Sequence, residues 1–145
     1  MRQHIFALAA AAPLEHLLIE GSGGLLVPLG EGPARGRSPQ VFTVLDLVAA
    51  LSCEVVVVAP DRLGTINHSL LTLHRLQAAG IKRVRLMLMG CRPADPSVRS
   101  NRHILAELLA PVPVHRLPLL QARLRGLEAL PSTAAALRLT LSRVC

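Results

Sequence analysis

The chain has 145 residues, 51% of them hydrophobic, and a formal net charge of +7. That length suits one domain, expected over residues 1–145, and is enough to bury a real core, because about two-thirds of the unfolded surface leaves water at this size. Fifteen of the 16 basic residues are arginines spread without a basic run, and aromatic residues amount to two phenylalanines, so the charge reads as a solvated surface attractive to anionic substrates rather than as a nucleic-acid groove.

The first segment, "MRQHIFALAAAAP", allows two readings. It has the charged start, short apolar stretch and A-x-A-like end of a signal peptide, and it is also a run of good helix formers stopped at Pro13. Glu15, Glu20 and the following glycines break the apolar stretch well short of the roughly 18 residues a membrane span requires, so no span is expected.

Leu17–Glu20 reads as a short apolar strand, followed by the glycine-rich corner of "IEGSGGLLVPL". The stretch "GEGPARGRSP", Gly30–Pro39, is too rich in Gly and Pro for regular structure. Thr43–Leu51 has helical spacing, Val55–Ala59 is an uninterrupted β-branched run, and Asn67–Ala79 is helical again up to Gly80. Val84–Met89 reads as a strand, Val98–Leu109 as a helix and Val112–Leu117 as a last strand, with Ser132 placed to cap a final helix running to Val144. Apolar strands separated by helices imply an α/β fold: an open, mostly parallel sheet with helices on both faces, making three layers.

Cys53, Cys91 and Cys145 are odd in number and widely spaced, with no C-x-x-C pair. That pattern suits free thiols in a reducing compartment, two buried and one terminal.

In such a sheet, ligands meet the carboxyl ends of the strands. Two loops are suited to that position. In the first, Glu20 stands at the end of its strand before Gly21, Ser22, Gly23 and Gly24, where the backbone can approach a ligand closely. The carboxylate could hold Mg²⁺ if a nucleotide completes the shell, or it could cap the turn. In the second, "PDRLGTINHSLLT", Gly64, Thr65, Ile66 and Asn67 open a helix whose free N–H groups and dipole favour an anion; the other reading is simple capping by Thr65. His68 and His74 are six residues apart, which is not metal-ligand spacing, so both read as surface or packing residues.

The blocks "IEGSGGLLVPL", "LDLVAAL", "VVVVAPDRLGTINHSLLTLHRLQAAGI" and "DPSVRSNRHIL" together resemble dethiobiotin synthetase, in the family's order and at similar spacing from about Leu14 to Pro118. The resemblance corresponds to the later part of the family's longer sequence. It implies a P-loop-type α/β domain in a cytoplasmic homodimer that uses ATP and Mg²⁺. Diaminopelargonate would take up CO₂ (or bicarbonate) as a carbamate, ATP would phosphorylate the carbamate, and the second amine would close the ureido ring. By this resemblance Glu20 is a Mg²⁺ ligand, the Ser22–Leu25 backbone (Ser22, Gly23, Gly24, Leu25) lines the diamine and carbamate site, and Gly64–Asn67 holds the substrate carboxylate, reaching across the dimer interface.

The chain also departs from the family. It has no G-x-x-x-x-G-K-[ST] motif, and its only lysine, Lys82, precedes a strand, so the phosphate-cradling P-loop is missing. Gly90 and Cys91 stand where the family has an adenine-reading asparagine, and "VHRLP" replaces a Leu-Gly turn. The expected role is therefore the substrate-binding part of an ATP-dependent cyclo-ligase, read as a partial chain, either from a late start or as one part of a split enzyme that pairs with a P-loop-bearing chain. The alternative is a noncatalytic relative that binds diaminopelargonate or pairs with a full-length subunit. A third reading is a different member of the wider P-loop superfamily or a ligand-binding module on the same sheet.

Overall fold

A computed structural model describes residues 2–11, 16–21, 23–35, 38–93, 95–117 and 119. The expected final helix from Ser132 and the thiol of Cys145 lie outside these residues. The described residues form two units: one comprises those up to Cys53 together with Leu76–Ile81, the other Glu54–Arg75 together with those from Lys82 onward.

In the first unit the alanine-rich opening forms helix α1, Arg2–Ala11. The expected strand at Leu17–Glu20 does not form: residues 16–20 have no regular structure, and Leu17, Leu18 and Ile19 are exposed. Four apolar residues cannot hold a strand without a ladder partner for their N–H and C=O groups. The Gly/Pro-rich stretch, expected to be irregular, instead forms a two-stranded antiparallel ribbon of β1, Pro28–Arg35, and β2, Ser38–Thr43. Both strands of such a ribbon are edges, where a missing proline N–H costs no ladder bond, and the register shift between Pro28 and Gly30 takes up the glycine at φ +155°.

Helix α2, Val44–Leu51, starts where its sequence says it should. Thr43 and Asp46 form a capping box: the Thr43 N–H donates to Asp46 Oδ2 at 2.8 Å, and the Asp46 N–H donates to Thr43 Oγ1 at 3.4 Å. Leu45 and Leu47 face inward, and Ser52 closes the helix in the left-handed region at φ 51°. At Leu76–Ile81, Gly80 adopts φ +80° while the Ile81 N–H bonds to the Leu76 carbonyl, 3.1 Å away. This Schellman closure explains why the preceding helix stops at Gly80.

The second unit is built on a three-stranded parallel sheet ordered β3 (Val55–Pro60), β4 (Val84–Met89), β5 (Val114–Leu117). Val55 pairs with Val84 and Leu86 with Val114, so the strands end in step near Pro60, Met89 and Leu117. The fold is α/β, a parallel sheet flanked by helices: α3, Thr65–Ala78, follows β3, and α4, Asn101–Leu108, precedes and packs on β5. The helix expected over Val98–Leu109 is divided, because Asp95 and Pro96 start a separate 3₁₀ turn, Pro96–Arg99, before α4 begins.

The core of this unit is Leu73, Val84, Leu86, Met87, Leu88, Leu105, Leu109 and Val114. Central β4 is covered on both faces, as parallel strands require. Edge strand β3 is not: Ala59 is buried, while Val56 and Val58 on the other face are 47% and 57% exposed. The expected α/β fold, a parallel sheet flanked by helices, is thus present, with Val56 and Val58 of its edge strand left exposed. Cys53 and Cys91 are free thiols and half-buried, less enclosed than expected.

Candidate functional site

Three strands ending in step bring three loops together at the carboxyl end of the sheet, and a buried carboxylate stands among them. Asp61, the residue after β3, is 0% exposed. Its N–H donates to the Met89 carbonyl at 2.7 Å, extending the β3–β4 ladder by one bond. Asn101 Nδ2 donates to Oδ1 at 2.9 Å, and Arg116 Nε lies 2.8 Å from Oδ2. The Arg116 contact is one of charge rather than of a well-directed hydrogen bond, since Oδ2 has no partner of good hydrogen-bond geometry. The Cys91 thiol, after β4, donates to the Asp61 carbonyl at 3.4 Å.

The loop from Asp61 leads into α3. Gly64 adopts φ +89°, a conformation that favours glycine, just before the first helical residue. The Thr65 N–H bonds back to Arg62 and the His68 N–H to Gly64, whereas those of Ile66 and Asn67 have no backbone partner among the described residues. Thr65 does not cap the helix: it is itself helical, 3% exposed, and its Oγ1 has no hydrogen-bond partner. Ser69, one turn further on, is also buried with an unpartnered Oγ. Two amides without a backbone partner thus stand at the positive end of a 14-residue helix, with an unpartnered buried hydroxyl in its first turn, an arrangement that favours an anion.

On the far side of the loop, Asp95 accepts from the Ser97 N–H at 2.8 Å. Its carboxyl is held below its ordinary value chiefly by the Ser97 hydroxyl, then by the Ser97 N–H and, against a small opposing effect of burial, by the Leu63 N–H.

The other predicted group lies in the first unit. Glu20 is exposed at the end of an irregular segment rather than of a strand. Ser22 lies outside the described residues. Gly23 adopts φ +78°, and a Cβ there would meet Val27 Cγ2 at 2.9 Å, so the corner requires glycine. Gly24 accepts from the Val27 N–H at 3.1 Å, and the Leu25 carbonyl accepts from the Leu45 N–H at 2.9 Å. The carbonyls of this corner thus serve the start of α2, where Val44 N–H also bonds to the Val27 carbonyl at 3.2 Å.

Among the described residues no group of three or more His, Cys, Asp or Glu side chains converges as a metal site. Glu20 could supply one of the one or two carboxylates that Mg²⁺ takes, with water and phosphate oxygens completing the shell. No helix among the described residues is long and apolar enough to cross a membrane.

A family described as an AAA domain matches residues 2–121. The chain belongs to this family. Its curated relatives include ATP-dependent dethiobiotin synthetases, in agreement with the resemblance carried by the four sequence blocks. That of Anaeromyxobacter sp. (strain Fw109-5) is 41% identical over 110 residues, 75% of this chain and 45% of the relative. The enzyme of Anaeromyxobacter dehalogenans (strain 2CP-C) is 40% identical over 131 residues, 90% of this chain and 55% of the relative. That of Mycobacterium avium (strain 104) is 42% identical over 96 residues, covering 66% and 38%. The chain spans about half the length of the curated relatives it matches. No solved structure matches it.

Sequence reasoning singled out the loop containing Asp61 but not Asp61 itself, nor Asn101 or Arg116. A carboxylate placed between a β-branched run and a helix-opening glycine was a usable signal. Asn101 and Arg116 had none, since they meet Asp61 only through the parallel register and the position of α4.

Proposed function

We propose that this chain is the substrate-binding part of a dethiobiotin synthetase. It holds 7,8-diaminopelargonate by its carboxylate at the start of α3, on Gly64, Thr65, Ile66 and Asn67. The observation that carries this reading is the donor set there, two unbonded amides beside the unpartnered Thr65 hydroxyl. Neutralising the substrate carboxylate at one end leaves its two amines projecting away, one to take up CO₂ as a carbamate and the other to attack the activated carbamate carbon and close the ring. In that arrangement the chain's contribution is orientation, which is worth several kcal/mol when two groups must meet. The Ser22–Leu25 backbone would line the carbamate side, with Glu20 contributing one carboxylate to a Mg²⁺ ion.

ATP supplies the phosphoryl group that activates the carbamate. The phosphate-cradling motif is not among these 145 residues, so the phosphates of ATP would be held by P-loop residues outside them, on the same protein or on a partner chain, in a cytoplasmic dimer. The test is titration calorimetry of the full chain with diaminopelargonate, followed by phosphate release with ATP, Mg²⁺ and bicarbonate, with and without the diamine. Saturable binding supports the reading, and absence of binding overturns it.

A second reading, a noncatalytic relative that binds the diamine, draws on Gly90. An added Cβ there would lie 2.6 Å from the Leu119 backbone nitrogen. The resemblance places an adenine-reading asparagine at this point, and the backbone leaves it no room. Diamine binding without phosphate release in the presence of a P-loop-bearing subunit would favour this second reading.

A further inference from the structure

The turn between β3 and α3 has little apolar reason to hold its shape. Arg62, Leu63 and Gly64 are all exposed, and exposed turns without buried apolar contacts open easily. Polar bonds hold it instead. Asn101, 2% exposed in the first turn of α4, directs Nδ2 at three oxygens: Asp61 Oδ1 at 2.9 Å, Ser97 Oγ at 3.1 Å and the Arg62 carbonyl at 3.4 Å. Three acceptors around one nitrogen fix which end of the amide points inward, because the Asn oxygen cannot donate. Two of these three acceptors belong to the turn, and the third belongs to the 3₁₀ segment whose Asp95 faces the Leu63 N–H.

We infer that Asn101 is a positioning residue: by holding Asp61 and the Arg62 carbonyl, it keeps the Ile66 and Asn67 amides and the Thr65 hydroxyl in the geometry that receives the substrate carboxylate. This inference rests on the carboxylate site proposed above. Asn101 touches no part of that site and acts through the turn. Without it, the turn must be ordered at the moment of binding, and affinity falls by the fraction of time the competent form is absent.

Amide hydrogen exchange and calorimetry on the full chain, with diaminopelargonate as the probe, test this. Asn101→Ala is expected to raise exchange about tenfold at Leu63 and Thr65, whose N–H groups are held by Asp95 and the Arg62 carbonyl, and to weaken diamine binding by a similar factor, the effect of losing one buried hydrogen-bond anchor. Exchange at Leu86 and Leu88 in β4 stays unchanged. Leu105→Val trims a fully buried residue of the same helix and leaves both readouts at wild-type levels. Should Asn101→Ala not fold, Ser97→Ala removes one of the three acceptors and is expected to give the same local pattern at smaller amplitude. Unchanged exchange at Leu63 and Thr65, or a rise equalled by Leu105→Val, overturns the role assigned to Asn101. A wild-type chain that binds no diamine overturns the carboxylate reading, while the exchange measurement still decides whether Asn101 holds the turn.

Discussion

Arg116 Nε lies 2.8 Å from the carboxylate of Asp61, with the arginine side chain 44% exposed and the aspartate fully enclosed. The asymmetry decides which partner can be removed more safely. Truncating the arginine leaves a carboxylate in the interior with only Asn101 to satisfy it, and an uncompensated buried charge costs more than the pair itself contributes. Arg116→Ala is expected to lower stability by about 2 kcal/mol, the scale of leaving a buried polar group without its partner. Adding Asp61→Asn should restore part of that loss. Urea unfolding followed by far-UV circular dichroism suits a chain without Trp or Tyr, and an additive double variant would count against the coupling.

On the other side of β5, the His115 imidazole is held below its ordinary value, first by burial and then by the Arg85 and Arg102 guanidinium groups. Its Nε2 is enclosed without a partner. The unfolded chain takes up the proton near pH 6.5, while the folded chain resists until lower pH. Stability from this residue is therefore complete above about pH 6.5 and declines as pH falls below it. The urea midpoint should drop between pH 7 and pH 5.5 in the wild type and drop less in His115→Gln. Equal drops would remove His115 as the cause.

Gly90 is the tightest backbone approach in the second unit among the described glycines. Its N–H bonds to the Leu117 carbonyl at 2.9 Å, and a methyl group there would collide with the Leu119 backbone rather than with a movable side-chain tip. Gly90→Ala is expected to cost about 1–3 kcal/mol, the usual penalty of overpacking. Thermal unfolding checks it, and an unchanged midpoint would show that the Leu119 backbone shifts without strain.

Glu20 is exposed, so Glu20→Gln should change stability by no more than about 0.5 kcal/mol. In an assembly supplied with a P-loop-bearing subunit, the same change is expected to abolish diamine-dependent phosphate release. Full turnover in Glu20→Gln would rule out its proposed metal role.

Thr65→Val, which removes the unpartnered hydroxyl at the start of α3, separates the two ligands. It is expected to weaken diaminopelargonate binding several-fold while leaving nucleotide binding in that assembly unaltered. The reverse ordering would place the carboxylate elsewhere.

What could be read in the sequence was whatever depends on neighbours along the chain. Thr43 and Asp46 announce α2 at capping-box spacing, Gly80 announces the end of α3, and "VRLMLM" gives the bounds of β4 as they stand. Gly30–Pro39 misled because Gly and Pro argue against a central strand, whereas a two-stranded ribbon has only edges. Leu17–Glu20 misled in the opposite sense: apolar residues favour extension, but a strand exists only beside another strand. The candidate site divides in the same way. The helix start after Gly64 was visible in "GTIN", a local pattern. The Asp61, Asn101 and Arg116 cluster was not, since its members are brought together by β3–β4–β5 register across up to 55 residues of chain.

Edge strand β3 gives the purified chain a colloidal character. Val56 and Val58 face water on a strand whose outer row of backbone groups meets no other strand among the described residues, and such a row is a template for further strands. The net charge of +7 opposes self-association at low ionic strength, and added salt screens that repulsion within about 10 Å. Solubility should therefore fall with rising salt before any unfolding occurs. Light scattering against salt concentration, at fixed temperature and constant circular dichroism, would record it.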